Sequence, residues 1–192
     1  MYSKLEFSIL RRTLYVAFAS CFLFLSDISH GFAQSEKLDE LFLQLQDEEI
    51  AEYSTIEDNI WKEWRKSGSD SVDFLLERGM LAMNQGQLTL AIKHFTTVIE
   101  QAPEFAEGYN MRATAYYLIQ RFGLSVADIE KTLALNPRHF GAMSGLGLIF
   151  EQTGREKEAL SVYYKVLELH PKSEQANMAK ERLEAELEGT AL

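Results

Sequence analysis

Cysteine is nearly absent from this chain: Cys21 is the only one in 192 residues, and it lies in an apolar run near the amino terminus. Once that run is set aside no thiol remains, which excludes disulfides, thiolate catalysis and thiolate metal sites together. Glycine and proline are sparse, and alternating β-branched runs bounded by turn signals are missing, so a sheet has little support. Lysine and arginine never run beyond two in a row, under a formal net charge of −10. Nucleic acid and anionic lipid both need clustered cations to neutralise phosphates, and neither is expected as a partner. No two histidines stand four residues apart, so zinc lacks its usual ligands.

The first 33 residues read as a signal segment. Lys4, Arg11 and Arg12 precede a mostly apolar run from Thr13 to Leu25, and small and polar residues then end at Gly31-Phe32-Ala33. That run is shorter than the roughly 20 residues needed to cross a bilayer core. Cleavage after Ala33 would leave Gln34 first, with no membrane span and an acidic mature chain. The expected location is the bacterial periplasm. An uncleaved anchor or a lipidated Cys21 is the alternative, although Phe22 to Leu25 continue the apolar run past the cysteine.

What the chain does contain is a period. Ala102-Pro103, Asn136-Pro137 and His170-Pro171 fall 34 residues apart. A recurrence of this length marks a helical pair that buries its apolar face only by stacking on its neighbours. The repeats run 72–105, 106–139 and 140–173. Before them, 34–69 carries helical stripes: Leu38, Leu41, Phe42 and Leu45, then Ile56, Ile60, Trp61 and Trp64. Two helices or one bent helix fit, and the register allows a degenerate first repeat, with Trp61 and Trp64 one period before Phe95 and Val98. After the repeats, Ser173 caps an expected polar helix over 174–188 that closes the last interface.

Counting each repeat from one, position 8 holds Gly79, Ala113 and Gly147, and position 20 holds Ala91, Ser125 and Ala159. Bulky Phe95, Ile129 and Tyr163 stand at position 24, and Ala82, Tyr116 and Phe150 at position 11. Gly86 and Gly154 mark the turns between helices, with Gly123 slightly displaced in the second repeat. Small residues let two helices cross closely, large ones fill the gap to the next pair, and proline ends the second helix. In this pattern the chain resembles the tetratricopeptide repeat (TPR) family. The resemblance implies an all-α, right-handed helical-pair solenoid of three repeats, with flanking amino-terminal helices and a carboxyl-terminal capping helix.

The resemblance also implies a concave groove lined by positions 2, 5, 9 and 12 of each first helix. These are Asp73, Leu76, Met80 and Met83; Glu107, Asn110, Thr114 and Tyr117; and Gly141, Ser144, Leu148 and Glu151. Methionine and leucine there offer an adaptable apolar strip with an acidic rim. One family activity, gripping a chaperone's carboxyl terminus through Lys, Arg and Asn, has no counterpart. The corresponding positions hold Leu76, Met80, Met111, Gly141 and Gly145, none of them a cation.

Chemistry is poorly supported elsewhere. Ser144 fails G-x-S-x-G because Ala142 precedes it by two, and Phe150 breaks G-x-G-x-x-G. His94, His139 and His170 fall near the ends of second helices, where the dipole favours a cation. The expectation is a non-catalytic exported scaffold without cofactor or metal, binding a protein or peptide in the groove. The alternative is a structural or oligomerising envelope protein whose groove is filled by its own amino-terminal helix or by a second copy.

Overall fold

The structure, a computed structural model, describes residues 36–47, 49 and 53–189. The chain divides into two units, Met1–Glu40 and Leu41–Leu192. The expected signal segment 1–33, with Cys21, lies outside the described residues. A helix (α1) covers 36–45. It is followed by α2 (Tyr53–Trp64), α3 (Asp70–Asn84), α4 (Leu88–Gln101), α5 (Ala106–Leu118), α6 (Phe122–Leu135), α7 (Phe140–Gln152), α8 (Glu156–Leu169) and α9 (Glu174–Gly189). Among the described residues there is no strand, and no helix is long and apolar enough to cross a membrane.

The 34-residue period sets the element boundaries. Helices α4, α6 and α8 are each 14 residues long, and Ala102, Asn136 and His170 end them. These residues sit at ψ 75°, 90° and 77°, outside the helical region that a following proline disfavours. Each pair packs internally, α3 on α4, α5 on α6 and α7 on α8, and each second helix packs on the next first helix. Helices α3, α5 and α7 also meet one another, so they lie side by side along one face of an all-α solenoid.

Position 8 and position 24 are matched in volume. A Cβ on Gly79 would sit 2.4 Å from the Phe95 ring, and one on Gly147 would sit 2.7 Å from the Tyr163 ring. Between them, Ala113 faces the smaller Ile129 in a shared core, and Ser125 donates to the Ala113 carbonyl at 2.8 Å. An aromatic at the crossing therefore requires glycine opposite, whereas isoleucine tolerates alanine.

The inter-helix turns share one backbone pattern. Positive φ falls at Gly86 (72°), Gln120 (58°) and Gly154 (69°), each 34 residues apart. The amides that follow, of Gln87, Arg121 and Arg155, donate back to the carbonyls of Ala82, Tyr116 and Phe150, the bonding of a Schellman end. The second turn thus uses Gln120 and not the displaced Gly123, which lies within α6 facing open space. Helix α9 closes the array with Ala176, Ala179 and Leu183 buried, and Ser173 Oγ accepts from the Ala176 amide at 3.4 Å.

Candidate functional site

The face formed by α3, α5 and α7 is not left open along its length. Helix α2 keeps the sequence spacing of a second helix but does not stack on α3 as one. In the register, Trp64 corresponds to Val98, whose side chain lies against Gly108. Trp64 instead stacks on His139, with ring centroids 4.1 Å apart and planes 20° apart. Trp61 meets Trp64 edge-on at 5.1 Å and Phe140 at 5.5 Å. It also occupies the space a side chain at Gly141 would need, since a Cβ there would fall 2.2 Å from the indole. Phe42 adds an edge contact to Phe140 at 6.3 Å, and the Arg138 guanidinium lies 4.4 Å above the Phe42 ring. Helix α2 and Phe42 thus cover part of this face near Phe140 and Gly141.

Beneath these aromatics lies a polar network. Glu107 and His139 are fully buried, with Glu107 Oε2 3.0 Å from His139 Nε2. His139 Nδ1 accepts from the Ala142 amide at 3.1 Å and so caps α7. An accepting Nδ1 places the ring proton on Nε2, which donates to Glu107. Asn110 Nδ2 donates to the same carboxylate oxygen at 3.0 Å. His139 thus accepts at a helix amino terminus, where the sequence placed it as a cation at a helix carboxyl end. A second pair ties α2 to the end of α8. Glu57 accepts from His170 Nε2 at 3.2 Å and from the Trp61 indole at 3.2 Å. The bond from His170, helped by Trp61, holds the Glu57 carboxyl below its usual range against the opposing effect of burial.

Next to this docked helix a cleft of about 380 Å³ stays open between α5 and α7. Asn110, Thr114 and Tyr117 line one wall, Ser144 and Leu148 the other, and Ile129 of α6 lies behind. Glu57, Trp61 and His170 also line it, and among the described residues no Lys or Arg does. The cleft is largely apolar, with a few hydroxyl and amide groups that can orient a ligand, the usual make-up of a binding pocket.

The other groove residues expected from the sequence are elsewhere. Asp73 Oδ1 accepts from the Ser67 amide at 2.8 Å and the Ser67 hydroxyl at 2.5 Å, tying down the turn before α3. Leu76 is buried in the first-repeat core, where Met80 and Met83 pack partly buried against it. Glu107 is consumed by His139. Glu151 lines a neighbouring recess with Leu148 and Arg182. There it accepts from Tyr163 Oη at 2.7 Å and pairs with Arg182. Burial, with Glu151 second, pushes the Tyr163 phenol up. Sequence spacing does not bring Glu57, Trp61 or His170 to the cleft. The available signal was local: Trp61 stands one helical turn after Glu57, and Gly141 replaces the acidic side chains found at the same position in the earlier repeats.

Comparison with known proteins gives a consistent picture. The tetratricopeptide repeat family model matches residues 76–127 and 119–174. A TPR repeat-containing protein of Rhizobium etli is 33% identical over 153 residues, covering 77% of this chain and 75% of that protein. The first TPR of Spaghetti (RPAP3), solved bound to the HSP90 peptide SRMEEVD, superposes with a TM-score of 0.58 at 27% identity. That alignment covers 60% of this chain and 92% of the solved one. The second TPR domain of human RPAP3, solved in complex with the HSP70 peptide SGPTIEEVD, gives a TM-score of 0.53 at 25% identity and covers 56% and 90%.

Proposed function

The chain belongs to the tetratricopeptide repeat family, and on that premise we propose that it is an exported, non-catalytic scaffold that holds an extended segment of a protein partner. The observation that carries this reading is the cleft left open beside α2, where Asn110, Thr114, Tyr117, Ser144 and Leu148 converge. An extended peptide laid there would place alternate side chains against Tyr117 and Leu148 and its backbone against the amide and hydroxyl groups.

The partner differs from those of the solved relatives. The peptides in those two structures end in Glu-Glu-Val-Asp. Here the positions of a cationic clamp hold Leu76, Met80, Met111, Gly141 and Gly145, and the cleft rim carries Glu57. A segment with clustered carboxylates would meet no cation and one anion, so the segment bound is neutral or basic. Crosslinking in intact cells, followed by recovery of the protein, tests the site. Leu148→Glu should lose the partner that the wild type retains, and unchanged recovery from that variant would place binding elsewhere. Sequencing the amino terminus of the recovered product tests export, with Gln34 expected first.

A second reading is favoured by the seating of Trp61 over Gly141: the groove is permanently filled by α2 and the protein is structural. Trp61→Ala separates the two. A binding cleft keeps or gains its partner when the rim is cut back, whereas a self-filled groove only loses stability.

A further inference from the structure

We propose that the outer face of α3 pairs, antiparallel, with the same face of a second copy of this chain, independently of what the cleft binds. Repeat register identifies the face. Positions 3 and 10 of each first helix normally meet the preceding pair. In the second repeat they are Gly108, packed against Val98 and Ile99 of α4, and Ala115, fully buried. In the third they are Ala142 and Ile149, both buried. In the first repeat they are Phe74 and Leu81, which are 58% and 51% exposed. Since α2 reaches to the third repeat, this end of the array carries two large apolar side chains where its own register calls for a neighbour. Their exposure is the kind of surface that soluble proteins use for association.

The occupant follows from the order of residues along the exposed stripe. Ser71, Phe74, Glu77, Arg78, Leu81 and Asn84 are all exposed and recur at helical spacing along one side of α3. About a two-fold axis between Glu77 and Arg78, an antiparallel copy sets Phe74 against the partner's Leu81 and Glu77 against the partner's Arg78. At the ends Ser71 meets the partner's Asn84. The stripe is its own complement, as an isologous contact requires. Neither Glu77 nor Arg78 has an ion pair within the chain among the described residues, so both are available to one. A single pair of 15-residue helices is smaller than a standard interface of roughly 800 Å² per partner. The association is therefore of moderate strength and concentration-dependent.

Analytical ultracentrifugation of the purified protein over a dilution series tests this. The wild type should pass from monomer to dimer. Leu81→Glu should weaken the dimer by about a hundredfold, and Glu77→Arg or Arg78→Glu by about tenfold each, through like charges facing across the axis. An equimolar mixture of the two charge variants should recover wild-type affinity, because each residue then faces its opposite. These positions are exposed, so at concentrations where the wild type is monomeric melting temperatures should stay near its own. A wild type that remains monomeric throughout, a Leu81→Glu variant that dimerises unchanged, or a charge-variant mixture that does not recover would each overturn the pairing. So would a monomer in which residues 1–35 shield Phe74 from surface labelling.

Discussion

The interior of the first repeat and the junction of the second with the third are built on one skeleton but bury different chemistry. Around Leu76, Phe95 and Val98 the buried side chains are all apolar. Beyond Ala106, buried side chains include Glu107, Asn110, Ser125, Asp128, Thr132, His139, Ser144 and His170. Apolar packing tolerates many partners, whereas a buried hydrogen-bonded pair accepts only geometry that satisfies it. The difference follows where α2 docks: Trp61 and Trp64 land on His139 and Phe140, at the polar junction. The first repeat supplies cohesion, and the junction supplies a specific seat and, beside it, the open cleft.

The largest expected effect breaks the apolar side of this comparison. Phe95 is fully buried against Gly79, so Phe95→Ala leaves a ring-sized cavity that rigid helices cannot close. A loss of about 3–5 kcal/mol is expected, measured by urea unfolding followed by helical circular dichroism. A loss below about 1 kcal/mol would mean the crossing repacks freely and the match of glycine to aromatic is incidental.

His139→Leu breaks the polar side. It leaves Glu107 buried with Asn110 alone and uncaps α7, for a loss of about 3 kcal/mol. Glu107→Leu together with His139→Leu should recover most of it, because replacing both partners leaves no buried carboxyl short of a hydrogen-bond donor. Losses that simply add in the double variant would show that the two residues do not act as a pair. Both tryptophans of the chain lie in α2, so fluorescence reports its docking separately from global unfolding.

That same signal gives a pH test. The folded Glu57 carboxyl lies below its ordinary value of 4.5 because His170 hydrogen-bonds the ionised form. A group shifted in this direction adds stability above the unfolded pKa and loses it as pH falls through the folded value. Docking of α2 should therefore hold at neutral pH and weaken below about pH 4.5, seen as a change in tryptophan emission before the helices melt. Glu57→Gln should flatten that early change. If it persists unaltered in the variant, another group governs it.

How much of this was legible in the sequence depends on the range of the interaction. The 34-residue period gave the helix pairs, the glycine-to-aromatic crossings and the cap helix, since each involves neighbours in register. The docking of α2 was not legible, because register pairs a second helix with the next first helix, and Trp64 instead meets a residue two repeats on. The groove was half legible. Spacing brought Asn110, Thr114, Tyr117, Ser144 and Leu148 to one cleft, but it could not show that Glu107 would be spent on His139 or Asp73 on Ser67. Those outcomes turn on which polar partner lies within reach in the folded chain, and spacing along one helix carries no record of it.

The smallest expected effect concerns the second inter-helix turn, where the three repeats share a backbone but not a residue. Gln120 takes φ 58° where Gly86 and Gly154 take 72° and 69°. A side chain in this left-handed region costs on the order of 1–2 kcal/mol, partly offset because glycine loses more freedom on folding. Gln120→Gly should therefore stabilise the protein by about 0.5–1 kcal/mol. Among the described residues the exposed glutamine has no side-chain hydrogen bond whose loss would oppose the gain. Gly123→Ala, inside α6 with open space at its Cβ, should add a similar amount through helix propensity. If Gln120→Gly instead destabilises while Gly123→Ala stabilises, the turn is held by its glutamine, and the second repeat departs from its neighbours in turn chemistry as well as in its buried polar groups.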